Sequence, residues 1–125
     1  MRQIHTDLAP KAVGPYSQAI QVGDFLFLSG QGGIDPETGK VVEGIEAQAR
    51  QALENMSHVL EEAGSSMEAV VKTTCFLHEI SDFAAFNAVY AEYFPQKPAR
   101  SCIAAKELPL KFLCEIEAIA YIGKE

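Results

Sequence analysis

The chain lacks most of the marks by which specialised proteins declare themselves. No stretch approaches the ~18 consecutive apolar residues of a membrane-spanning helix. Met1 to Pro10 carries one Arg and no apolar segment of the kind a secretory leader needs, so it is not read as one. Basic residues are in deficit: 10 Lys and Arg against 17 Asp and Glu give a formal charge of −7. They are also scattered, whereas a nucleic-acid binder gathers them into a patch or stripe, so RNA and DNA are unexpected as main partners. Cysteine is sparse and odd in number. Cys75, Cys102 and Cys114 stand far apart, which fits free thiols in a reducing compartment, and the cytoplasm is the expected location. His5, His58 and His78 show no metal-ligand spacing, and there is no C-x-x-C pair, so no metal is expected. Neither a Walker A loop nor a G-x-G-x-x-G run is present, and no cofactor is expected. Repeats, low-complexity tracts and charge runs are missing too.

What remains is material for one core. The 125 residues are 48% hydrophobic, enough for a single domain over residues 1–125 that folds without disulfide or metal. Two short apolar runs, Ala19 to Val22 and Phe25 to Leu28, flank Gly23-Asp24 and predict a β-hairpin. Asp35 to Gly39 is turn chemistry, followed by Val41-Val42 as a possible third strand. From Gly44, Ile45, Ala49, Ala52, Met56, Val59, Leu60 and Ala63 recur along one helical stripe, and Gly64 ends it. Val70 to Leu77 reads as a strand rich in β-branched residues. Ser81 is a good N-cap for a second helix with Phe83, Phe86, Val89, Tyr90 and Tyr93 as its apolar face, stopped by Pro95. Strands from Arg100 to Ala104 and from Phe112 to Ile122 complete an α+β domain, a mixed sheet with two helices packed on one face.

The last strand alternates Phe112, Cys114, Ile116, Ala118 and Ala120 with Leu113, Glu115, Glu117, Ile119 and Tyr121. Two helices cover one of these faces. The other mixes large apolar groups with two carboxylates, and such a face is expected to meet other subunits.

Few side chains offer chemistry. Arg100 lies where a Pro-containing loop becomes a strand, and its planar fork suits a carboxylate; a surface Arg or an intersubunit ion pair fits the same position. Glu115 and Glu117 share the expected interface face, where a desolvated carboxylate beside a second one has a raised pKa useful in acid–base work. Alone, the pair reads more readily as structural. Cys102 has no His near it in sequence and reads as packing. Tyr16, after Gly14-Pro15, has a hydroxyl for a ligand or for the core, and Asn87 sits inside a helix, where its poor propensity hints at a side-chain task. Ser29-Gly30-Gln31-Gly32-Gly33 predicts a sharp turn or a close backbone approach in preference to a phosphate cradle. His58 falls off its helix's apolar stripe and reads as solvated.

Taken in order, several stretches resemble the reactive intermediate deaminase (RidA/YjgF) family: Gly14-Pro15-Tyr16-Ser17-Gln18-Ala19, Ser29-Gly30-Gln31, Asp35-Pro36-x-Thr38-Gly39 and Gln48-Ala49-x-Gln51-Ala52-Leu53-x-Asn55. The resemblance continues through Val71-Lys72-Thr73-Thr74, Asp82-Phe83-x-x-x-Asn87-x-x-Tyr90, Pro98-Ala99-Arg100-Ser101-Cys102 and Glu115-Ile116-Glu117-Ala118-Ile119-Ala120. It implies a chorismate-mutase-like α+β fold, assembled as a homotrimer whose sheets form a central barrel with clefts between neighbours. It also implies hydrolysis of 2-iminobutanoate and 2-iminopropanoate, made by pyridoxal-phosphate dehydratases, to 2-oxo acids and ammonia. On that resemblance Arg100 grips the substrate carboxylate and Glu115 positions the water. Tyr16, Ser29, Gly30 and Asn87 line the substrate, and the backbone carbonyl of Cys102 guides the water. Two departures, Gly32-Gly33 and the more apolar Lys111-Phe112-Leu113-Cys114, fall where they would reshape the pocket. Two other functions compete: a non-catalytic module that senses a small carboxylate, and a ribonuclease, against which the charge weighs.

Overall fold

In the computed structural model, which describes residues 1–123, the alternating apolar segments pair into one six-stranded sheet. The strands are β1 (Arg2–Ile4), β2 (Ala19–Val22), β3 (Phe25–Gly32), β4 (Val70–Leu77), β5 (Ala99–Ala104) and β6 (Cys114–Tyr121), in the order β1-β2-β3-β6-β4-β5. Gly23, at φ 56°, makes the left-handed turn between β2 and β3. Every pairing is antiparallel except β4 with β5, which run parallel because a helix crosses between them. The sheet is mixed, as the sequence predicts.

Helix α1 (Ile45–Glu62) follows β3, and α2 (Phe83–Tyr93) follows β4. The α1 stripe does what its spacing dictates: Ala49, Ala52, Leu53, Met56, Val59 and Leu60 are fully buried against the sheet. Its end is closed by a Schellman arrangement, with Gly64 at φ 80° donating to Glu61 O at 2.9 Å and Ser65 donating to Leu60 O at 2.8 Å. Along β6, Cys114, Ile116, Ala118 and Ala120 are buried beneath the helices, while Glu115, Glu117, Ile119 and Tyr121 face the other way. That second face is open. It carries Phe25 and Phe27, 41% and 46% exposed, with the Phe25 ring 5.3 Å from that of Tyr121. No helix among the described residues is long and apolar enough to cross a membrane.

Several local expectations change. Strand β1 was not expected, since three residues offer too little alternation to read; it is held by pairing with β2. Val41-Val42 is not a strand: Val41 makes a single bridge to Ile34. Ser81 does not cap α2, because it lies within a 3-10 turn, Ile80–Asp82, and Asp82 takes the cap position without a side-chain bond. The last strand starts at Cys114, two residues late, because Phe112 still belongs to the turn before it.

Candidate active site

Glu115 opens into a cleft of about 370 Å³ lined by Val13, Tyr16, Ser29, Gly30, Leu110 and Phe112, among others. Its floor is a shift of register between β3 and β6, where Ser29-Gly30 bulges out of the ladder. The expected sharp turn is therefore a bulge inside a strand, and the close backbone approach is real. A Cβ on Gly30 would strike the Glu115 carboxylate, and one on Gly32 would strike the Phe112 ring. The chain before β2 folds over this floor. Ser29 Oγ donates to Ser17 O at 2.6 Å. Gln18, buried, ties the loop together: its Oε1 accepts from Thr6 N at 2.7 Å, and its Nε2 donates to Thr6 O and Pro10 O at 3.1 and 2.9 Å. Tyr16 is 47% exposed at the rim, its hydroxyl accepting from Val13 N at 3.3 Å. Glu115 itself is half-buried. Burial, and then the like charge of Glu117 on the same face, hold its carboxyl above the usual carboxylate range.

Arg100 stands elsewhere. Parallel pairing sets Thr73 beside Arg100 and Cys75 beside Cys102. Thr73 and Cys75 are buried under the helices, so Arg100 and Cys102 share the helix-covered face at the sheet edge. The guanidinium donates to Asn87 Oδ1 at 2.7 Å and lies 4.8 Å from the Tyr90 ring centre and 5.6 Å from that of Phe83. Tyr90 is fixed in turn by a 2.7 Å bond between its hydroxyl and Thr73 Oγ1. Asn87 reaches the arginine from α2 through this one bond. Among the described residues the guanidinium bonds only this uncharged amide, so its positive charge faces a shallow hollow without a carboxylate to neutralise it. Burial raises the Cys102 thiol pKa, against the lowering effect of Arg100, so it is a poor nucleophile.

The expected site residues thus fall into two groups. Tyr16, Ser29, Gly30 and Glu115 meet in one cleft; Asn87 and Arg100 meet in the other, with Cys102 two residues along β5. Glu115 is on the open face of the sheet and Arg100 on the covered face, so the sheet itself separates them within one protomer. Among the described residues no cluster of three or more metal-ligating side chains exists.

The polar frame around the cleft went unread in the sequence. Gln48 and Asn55 are buried on α1. Gln48 Oε1 accepts from Leu113 N at 2.8 Å, and Asn55 Nδ2 donates to Gly32 O and Ile34 O at 3.3 and 2.9 Å. Their signal was available: each precedes an apolar stripe residue, Ala52 and Val59, by four positions, so each falls on the buried side of the helix. Phe83 and Tyr90 were expected as apolar packing, and their rings beneath the guanidinium add a second role. His58 remains near solvent, but its Nδ1 bonds Leu8 O at 2.9 Å and holds the same N-terminal loop.

A family model described as Endoribonuclease L-PSP matches residues 6–122. A RutC family protein of Pyrococcus horikoshii is 54% identical over 120 residues, covering 94% of this chain and 95% of its own. The 2-iminobutanoate/2-iminopropanoate deaminase of Salmonella typhimurium is 45% identical over 123 residues, covering 95% of this chain and 96% of its own. The crystal structure of RidA from the Antarctic bacterium Psychrobacter sp. PAMC 21119 superposes with a TM-score of 0.95 at 45% identity, covering 98% of this chain and all of that one. With fold, motif order and full-length matches in agreement, the chain belongs to the endoribonuclease L-PSP family, that of the RidA/YjgF reactive intermediate deaminases.

Proposed function

We propose that the protein is a cytoplasmic 2-iminobutanoate/2-iminopropanoate deaminase that works as a homotrimer, with each active site at a seam between two protomers. The observation that carries this reading is the placement of an un-neutralised Arg100 and of Glu115, whose carboxyl burial holds above the usual carboxylate range, on opposite faces of one sheet. A small imino acid touches both only if one protomer supplies the arginine and its neighbour the glutamate. The open apolar face of the sheet, with Phe25 and Phe27, supplies the surface for that assembly. The likeness to the Salmonella deaminase supports the reaction.

In this mechanism Arg100 clamps the substrate carboxylate, oriented by Asn87, while Tyr16 and the Ser29-Gly30 bulge line the other half of the seam. Ionised Glu115 takes a proton from a water, and the backbone carbonyl of Cys102 helps to aim it. The water oxygen bonds to the imine carbon as the C=N π electrons move to nitrogen, which takes the proton held by Glu115. The regenerated carboxylate then carries the hydroxyl proton of this adduct to the same nitrogen, and the C–N bond breaks as the C=O bond forms, releasing ammonia and the 2-oxo acid. Orientation plus a general base worth roughly 10²–10⁴-fold suffices for so labile a bond.

Loss of a desolvated charge partner costs roughly 2–5 kcal/mol, or about 30-fold or more in rate. Arg100→Ala is therefore expected to nearly abolish release of 2-oxobutanoate when the protein is added to a threonine dehydratase reaction. Arg100→Lys recovers little, lacking the fork. Full activity in Arg100→Ala overturns the reading. Saturable 2-oxo acid binding without turnover in the parent protein points instead to a sensing module, and Arg100-independent RNA cleavage without imine turnover to a ribonuclease.

A further inference from the structure

The turn leading into β6 carries a feature that proton transfer and carboxylate binding leave unused. Pro109–Lys111 form a single 3-10 turn, in which Lys111 N donates to Leu108 O at 3.2 Å and Phe112 N to Pro109 O at 3.1 Å. Within it Leu110, at φ 56° and ψ 22°, and Lys111, at φ 57°, are both left-handed. That conformation is disfavoured for any side chain with a Cβ, and two in succession require firm anchoring. The anchor follows at once. Phe112 is buried with its ring against Gly32, Leu113 N donates to Gln48 Oε1 at 2.8 Å, and Leu113 O accepts from His78 N at 3.0 Å.

The result is to present Leu110 outward. Its side chain is 53% exposed, and it borders both the Glu115 cleft and a neighbouring hollow lined by His78, Glu107 and Lys111. A leucine held half in water on strained backbone gains little for the protomer alone. In the Glu115 cleft, however, it joins Val13, Ile34 and Phe112, so that apolar side chains share the lining with polar ones such as Ser29, Glu115 and Glu117. A carboxylate clamp and a general base occupy two ends of an imino acid. The third substituent on the imine carbon, the alkyl chain, needs an apolar wall, and this cleft has one.

We infer that Leu110 is a specificity-determining residue, which makes the enzyme favour 2-imino acids whose apolar side chain is longer than methyl. The inference rests on the deaminase reading and adds to it the residue that measures chain length. Each methylene buried against such a wall is worth about fourfold in transition-state binding. The test compares kcat/KM for the imines generated by an amino acid oxidase from alanine, 2-aminobutanoate and norvaline. The parent protein is expected to gain about fourfold at each added carbon. Leu110→Asn and Leu110→Gly, both at ease in left-handed backbone, are expected to cut that gain to below twofold per carbon, with unfolding midpoints no lower than the parent's. Variants that keep the parent's gain per carbon, or a parent with no gain, overturn the inference while the deaminase reading stands. A parent that hydrolyses none of the three imines overturns both.

Discussion

At the scale of single residues, Glu115 is the group whose environment matters most. Burial and the charge of Glu117 favour its protonated form, so the folded chain holds this proton more tightly than the unfolded one does. The stability that follows is fully present below the unfolded pKa and is lost as pH rises through the folded one. Glu115→Gln is therefore expected to raise Tm at pH 7 and to have little effect on it at pH 4, while abolishing imine hydrolysis. In the proposed reaction Glu115 serves as a base only when ionised, so the acid limb of the kcat/KM profile should lie above the ~4.3 of an ordinary glutamate. Glu117→Gln removes the like charge and should move that limb to lower pH; an unmoved limb would assign the limb to another group. Gly30 offers a separate handle. Its missing Cβ makes room for the end of the Glu115 side chain, which can swing away without disturbing the fold. Gly30→Ala is expected to lose roughly 10²-fold in kcat/KM, as a misplaced reacting group does, with Tm nearly unchanged. The presence of Arg100 and Glu115 was legible from their motifs. That Gly30 exists to clear Glu115 was not, because the two meet only through a bulge between strands far apart in sequence.

Among the elements, those with a sustained period were legible: α1 from its apolar stripe, β4 from its β-branched run, β6 from its alternation. Elements defined by their partners were not. Strand β1 exists only through β2, and the start of α2 depends on the Ile80–Asp82 turn, which displaces the cap expected at Ser81. The polar clamps are of the same kind, since a Gln or Asn on a buried stripe looks like a mismatch until its backbone partner is seen. Asn55 is the clearest instance, joining α1 to the end of β3 and to the loop beyond. Asn55→Ala leaves the carbonyl of Ile34 without a partner, while Gly32 O keeps its bond from Ile34 N, and one such unsatisfied group costs about 1–3 kcal/mol. A fall of that size in unfolding free energy from urea titration is expected; a change below about 0.5 kcal/mol would show that water replaces the amide without loss.

For the whole molecule, the decisive property is that one protomer holds Glu115 and Arg100 in separate hollows on opposite faces of its sheet, which the proposed reaction makes two half-sites. The alternation of β6 carried this in the sequence, by setting Glu115 and Glu117 among large apolar groups on a face the helices do not reach. The same alternation could not show that Arg100 points to the opposite face, which follows from the parallel register of β5 with β4. If assembly creates the site, damage to the open face should remove activity without touching substrate. Phe27→Glu is expected to sediment as a monomer with native circular dichroism and no imine hydrolysis. An active monomer would contradict it.

The most direct measurement is complementation between two inactive variants, Arg100→Ala and Glu115→Gln, unfolded together, refolded and assayed with 2-iminobutanoate. Random mixing in a closed ring gives a neighbouring pair with an intact arginine and an intact glutamate at about one seam in four. Recovery of about a quarter of the parent's activity is the expected result. A mixture that stays as inactive as either variant alone, with mixed assemblies present by native mass spectrometry, would contradict a site shared across the seam.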